Sequence, residues 1–272
     1  MKKLSLLVLV SLFSSVLLAQ KIEMSETELK TKLDSVLVEG NLLYRYEKSA
    51  WISTDLAREN PVLKEGFNRY FTYEDQGQIK VIFFSDNFQS CTAEYVFENN
   101  FDKPKSVKIE KRELSEKEKT LFEVRNKILE DIGENKYDIT IPQGYGPNLI
   151  LLPFGEKYKL YIIMGTSQDN VIPFGNDYLF IANKDGKIES WEKFHSRLIP
   201  GYTRNEGKEV VEIMHSHLRT TPLITATDIC TFMLYAPSYK MDKFSIYSPA
   251  IEKSMEYSLK NNEITVSSEI IP

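Results

Sequence analysis

The sequence is poor in the residues that most readily hold metals or staple an exported domain, with three histidines and two cysteines in 272 positions. Two cysteines form one disulfide at most, and a chain of this length buries a core without one. There is no surplus of basic charge, since 34 Lys and Arg stand against 39 Asp and Glu for a net charge of −5. A phosphate backbone finds no electrostatic grip there, which argues against nucleic acid as the main partner. Beyond residue 19, no apolar run approaches the roughly 18 residues that a membrane-spanning helix needs. Repeats and low-complexity tracts are absent as well. What is present, 42% hydrophobic and 27% charged residues, is the composition of a soluble globular chain and argues against disorder, collagen-like repeats and coiled coil.

The first nineteen residues read as a signal peptide. Met1-Lys2-Lys3 is a basic start, Leu4 to Leu18 is apolar and serine-rich, and Ala19 is a small residue before Gln20, with Leu17 an imperfect match two positions earlier. No cysteine follows the apolar run, which argues against a lipoprotein anchor. The expectation is an exported chain, periplasmic or extracellular, with no membrane span after signal removal. Export permits disulfides, but spacing alone leaves the pairing of Cys91 with Cys230 open. Cys230 lies in the apolar segment from Ile229 to Leu234, where a buried thiol is expected.

Ser25-Glu26-Thr27-Glu28 is a capping-box pattern that opens a helix with Leu29, Leu33, Val36, Leu37 and Leu43 on one face. Strands are expected at Tyr70 to Tyr73 and Ile79 to Phe84, around a hairpin signal at Asp75-Gln76-Gly77, then at Ala93 to Phe97 and Val107 to Ile109. Ser115 to Glu118 is a second capping box, for a helix ending at Gly133. Pro142-Gln143-Gly144-Tyr145-Gly146-Pro147 is the strongest punctuation in the chain, and it sets a soft boundary near residue 140. Short strands follow at Leu149 to Leu152, Leu160 to Met164 and Tyr178 to Ala182. The pattern is α+β, with a smaller α+β region over 20–140 and a second region over 141–272. Tyr44, Tyr46 and Trp51 are assigned no ligand.

All three histidines fall between residues 195 and 217. Glu209 to His217 reads as a strand, and its alternation sets His215 and His217 on one face, where two imidazoles can share a metal ion. After Pro222, Thr225-Ala226-Thr227-Asp228 opens a helical segment through Tyr235, with Asp228 in its first turn. Asp228 would complete a His-His-Asp set with one position left for water, the arrangement of a hydrolytic zinc centre. Thr225 and Asp228 equally fit a capping box, in which the aspartate binds only backbone amides.

The run His215-Ser216-His217, Thr225 and Asp228 resembles the H-[ST]-H-x7-S-x2-D motif of the JAMM (MPN-type) metallopeptidases. Phe244 to Pro249, Met255 to Leu259 and Ile264 to Val266 resemble the strands that follow that motif. The resemblance implies a JAMM-like mixed sheet with flanking helices over 141–272. It further implies zinc held by His215, His217 and Asp228, the Thr225 hydroxyl assisting the oxyanion, and cleavage of an amide or isopeptide bond in a peptide or protein substrate. Here Leu218 stands where the family usually has proline, Thr225 replaces its serine, and the place of its upstream glutamate falls near Tyr158. Glu156 is the nearest acid to that place. Glu212 points away by parity, and Glu209 is roughly 20 Å along the strand. Asp177 and His195 are other conceivable contributors. His195 as a fourth ligand would close the centre and make it structural. With the base unassigned, a non-catalytic JAMM-like binding module or a structural protein of the cell envelope is the alternative.

Overall fold

The computed structural model describes residues 22–66, 69–99, 101–134, 137 and 139–269, so the signal peptide expected over 1–19 lies outside the described residues. Helix α1 (Glu26–Glu59) opens at Ser25, whose hydroxyl accepts from the Glu28 amide at 3.2 Å. It runs for 34 residues, about 50 Å, well beyond Leu43, where the apolar face legible in the sequence stops. Beyond Tyr46, its buried face continues through Glu47, Ala50, Ser53 and Ala57, small or polar residues that leave no strong apolar stripe in the sequence.

Strands β1 (Tyr70–Asp75) and β2 (Gln78–Phe84) form the expected hairpin, and Gln76 and Gly77 take the left-handed conformations a two-residue turn requires. With β3 (Ser90–Phe97), β4 (Ser106–Lys108) and β5 (Arg112–Glu113) they make the first antiparallel sheet. Helix α2 (Glu116–Gly133) carries a complete capping box between Ser115 and Glu118. A second antiparallel sheet joins β6 (Gly146–Phe154), β7 (Lys157–Gly165), β9 (Tyr178–Ala182) and β10 (Ile188–Lys193). Strand β8 (Val171–Gly175) pairs instead with β11 (Leu198–Tyr202), and β12 (Arg204–Asn205) with β13 (Lys208–Glu209). In the last sheet, β14 (Glu212–Ser216) lies parallel to β15 (Lys243–Ser248), reached through helix α3 (Ala226–Tyr235) and a 3-10 turn at Ala236–Tyr239. Strands β16 (Lys253–Ser258) and β17 (Glu263–Ser267) extend it antiparallel. The molecule is therefore mixed α+β, with three α-helices among the described residues.

Alternate side chains of the central strands feed two apolar cores. Ile79, Val81 and Phe83, with Ile150, Leu152, Tyr161 and Ile163, join the core under α1, α3 and β15. Ile82, Phe84, Leu151, Leu160 and Ile162 face the opposite way, onto Leu121, Val124 and Ile128 of α2. Both cores draw residues from either side of position 140, and α1 packs against β1, β2, β6, α3 and β17. The punctuation at 142–147 is thus a loop between two regions that share their cores. Cys91 and Cys230 are both buried free thiols, and burial raises both pKa values, that of Cys91 to about 11. No helix among the described residues is long and apolar enough to cross a membrane.

Candidate metal centre

The β8–β9 turn is built for close approach. Gly175 has φ 77° and a Cβ there would stand 2.4 Å from the Arg197 carbonyl oxygen, so only glycine fits. Asn176, also left-handed, is pinned at both ends of its amide, donating to the Thr140 carbonyl (2.7 Å) and accepting from the Tyr178 hydroxyl (3.0 Å). The Asn176 amide donates to Arg197 O, and the Phe194 amide to Asp177 O. These two bonds lock the β10–β11 loop onto the turn and carry His195 to Asp177, where the ring Nδ1 donates to the carboxylate at 2.7 Å.

Strand β14 delivers the other two imidazoles. Its residues alternate exposed and buried, with His215 inward and Glu212 outward, where Glu212 accepts from the Ser245 hydroxyl. His217 continues the ladder, its amide donating to Tyr247 O at 2.9 Å. Its ring Nδ1 lies 3.2 Å from the carbonyl oxygen of Thr221, which can only accept, so this nitrogen carries a proton while Nε2 faces His195 and His215. Helix α3 supplies the carboxylate. Thr225 caps it, accepting from the Asp228 amide, while Asp228 Oδ2 accepts from the Thr225 amide (3.0 Å) and hydroxyl (2.7 Å). The capping role of Asp228 is therefore real and uses one carboxylate oxygen. The other, Oδ1, is buried and has no hydrogen-bond partner.

Four ligand atoms converge on one point. His195 Nε2 and His215 Nε2 lie 3.2 and 3.1 Å from His217 Nε2, and each lies 3.5 Å from Asp228 Oδ1. Ligand atoms about 2.0–2.1 Å from one tetrahedral ion stand about 3.3–3.4 Å apart, so these four of the six separations are close to the edges of such a tetrahedron, and all four atoms lie within 4.8 Å of one another. His195, His215, His217 and Asp228 are all buried and close enough to bind a metal ion. Phe174 and Phe244 flank His215, with ring centroids 5.2 and 6.4 Å away. Behind the ligands, Asp177 also accepts from Thr227, the α3 residue preceding Asp228. One helical turn therefore carries both a ligand and the clamp on another ligand's partner.

The electrostatics agree with a cation site. Burial would pull the His195 pKa down, but the Asp177 and Asp228 carboxylates outweigh it and raise it to about 9. Burial likewise opposes ionisation of Asp228, yet the three histidines hold it well below the usual carboxylate range. His215 goes the other way, lowered by burial. A buried carboxylate oxygen without a hydrogen-bond partner, facing three imidazole nitrogens, calls for positive charge, which a bound cation or protons on the imidazoles supply.

Of the residues singled out from sequence, the fold brings His215, His217, Thr225 and Asp228 together and adds His195 and Asp177. It does not bring Glu156. That residue is exposed in the β6–β7 turn and ion-paired with Lys184. Because β7 runs antiparallel to β9 with Tyr158 opposite Ala182 and Ile162 opposite Tyr178, the turn lies at the far end of β9 from Asp177, roughly 20 Å along the strands. Glu209 is likewise remote in role, exposed in the β12–β13 hairpin. The neighbouring carboxylates are already engaged: Asp177 with His195 and Thr227, and Glu192 with the Thr221 hydroxyl at 3.1 Å. No protein-family model, curated protein or solved structure matches this chain.

Proposed function

We propose that this is an exported metal-centred module of the cell envelope, in which zinc bound by His195, His215, His217 and Asp228 fastens the C-terminal half and performs no hydrolysis. One observation carries the reading: His195 Nε2 lies with the other three donor atoms, 3.2 Å from His217 Nε2 and 3.5 Å from Asp228 Oδ1, whereas a hydrolytic centre keeps a water as its fourth ligand. Two contacts to the far ring nitrogens support it, Asp177 on His195 and the Thr221 carbonyl on His217, since metal-bound imidazoles commonly give their other N–H to such acceptors. A closed tetrahedral set of imidazole and carboxylate donors suits zinc, and elemental analysis of the purified chain tests it. One zinc per chain in the wild type, reduced in His195→Ala as strongly as in His215→Ala, is the expected result. A wild type without stoichiometric metal overturns the reading.

A second reading is an exported zinc-dependent hydrolase resembling the JAMM metallopeptidases and cleaving an amide or isopeptide bond. It is supported by the meeting of His215, His217 and Asp228, from a strand and the helix that follows it, around one point. It needs water in place of His195 and a base that no carboxylate near the ligands is free to supply. Peptide hydrolysis by the zinc-loaded wild type, lost on Asp228→Asn, favours this second reading; the first predicts none.

A further inference from the structure

The glycine-rich loop 142–147, the sharpest punctuation in the sequence, plays no part in the metal centre. It forms instead one wall of a shallow groove of about 480 Å³, opposite Trp51 of α1, Tyr235 of α3 and the end of β7 at Gly165 to Ser167. Although 27% of the chain is charged, no charged side chain lines this groove. Its aromatic floor is preorganised. Trp51 and Tyr235 meet edge to face at 5.0 Å, and the Trp51 side chain is hydrogen-bonded to the buried carboxyl of Glu47. The Tyr235 hydroxyl accepts from the Thr166 amide at 2.8 Å and donates to the Thr166 carbonyl at 3.2 Å. The Thr166 hydroxyl in turn donates to the Gly144 carbonyl at 2.8 Å, tying the glycine loop to the wall across from it.

Three polar side chains in the groove have no partner among the described residues: the amide of Asn148 and the hydroxyls of Tyr145 and Ser167. Together they offer both donors and acceptors beside fixed aromatic rings. We propose that this groove binds a neutral saccharide, whose apolar ring faces stack on aromatic side chains while its hydroxyls both donate and accept. The uncharged lining disfavours phosphorylated or acidic ligands, which would lose hydration without gaining a counter-charge. A proline-rich peptide also suits aromatic grooves, but prolines carry no N–H, so the free acceptors of Asn148, Tyr145 and Ser167 would go unserved. Rings already held by hydrogen bonds need little ordering on binding, which favours even a shallow site.

The chain has two tryptophans, Trp51 and Trp191, so the full chain carrying Trp191→Phe leaves Trp51 as the sole fluorescent reporter. Titration with tri-N-acetylchitotriose and with cellotriose should give a saturable emission shift with at least one of them, with a Kd on the order of 1 mM or tighter. Asn148→Ala in the same background should weaken that binding at least about tenfold. Circular dichroism confirms that each variant is folded, and Tyr145→Phe replaces Asn148→Ala if the latter is not. The proposal is overturned by no shift with either sugar, by an equal shift in the folded variant, or by a shift with a proline decapeptide and none with sugar.

Discussion

At the scale of single residues, Asp177 is the side chain whose chemistry reaches furthest beyond its own contacts. It fixes the His195 tautomer through Nδ1 and is itself held by Thr227 of the helix that carries Asp228. Asp177→Asn keeps the shape and removes the charge, and zinc affinity should fall about 10- to 100-fold, measured by competition with a chelator of known affinity. An unchanged affinity would mean that His195 is not a ligand. Glu47 presents a different case, an acid in the apolar core with one oxygen unpartnered and burial pushing its pKa up to about 8. An unfolded Glu47 titrates near 4.3. Between those two values the unfolded chain has released a proton that the folded chain keeps, so the contribution of Glu47 to stability falls as pH rises from about 4.3 to about 8, by up to about 1.4 kcal/mol per unit. Below that window it adds no pH dependence. Glu47→Gln should therefore gain on the wild type between pH 5 and 8, read from urea midpoints, whereas a constant gap between the two would contradict the buried-acid account.

At the scale of elements, α1 and α3 meet with almost no clearance. A Cβ on Gly40 would stand 2.8 Å from Ile229 Cβ and 3.2 Å from the carbonyl of Ala226, inside the first turn of α3 that positions Asp228. In an isolated helix, Gly→Ala gains about 1 kcal/mol of helix propensity. Overpacking of this kind costs about 1–3 kcal/mol, so Gly40→Ala should be net destabilising in thermal denaturation. A stabilised variant would show that the helices are farther apart. The β14 alternation and the Thr225–Asp228 spacing announce His215, His217 and Asp228, because each depends on local periodicity alone. Both helix starts were readable from their serine caps for the same reason. The far end of α1 was not, since its buried face turns to small and polar residues after Leu43. Strands β8, β10 and β11 were not readable either, and their pairing is what brings Asp177 and His195 to the cluster. Proline within β8 and β11, at Pro173 and Pro200, and an exposed β10 hide them from alternation. Glu156 shows the converse error. Proximity to a strand in sequence said nothing about which end of it faces the site.

At the scale of the molecule, the candidate ligands come from three separate pieces: His195 from the β10–β11 loop, His215 and His217 from β14 and its end, and Asp228 from α3. A metal there ties the turn beside the second sheet to the last sheet and to the helix that packs on α1. Because such an ion binds the folded chain and not the unfolded one, free metal at about 100 times its Kd adds about 2.7 kcal/mol of stability. Removing it with a chelator should lower the midpoint of thermal unfolding by several degrees, on the scale of about 2–4 °C per kcal/mol for a chain of this size. An unmoved midpoint would mean that the centre does not fasten the fold. Whether the proposed centre is closed by four protein ligands is read from the zinc-edge X-ray absorption spectrum of the purified chain. Four nitrogen or oxygen atoms at about 2.0–2.1 Å from the metal are expected, with the more distant scattering of three imidazole rings, falling to two in His195→Ala. Two imidazoles already in the wild type, with a water in the remaining position, would contradict the closed centre.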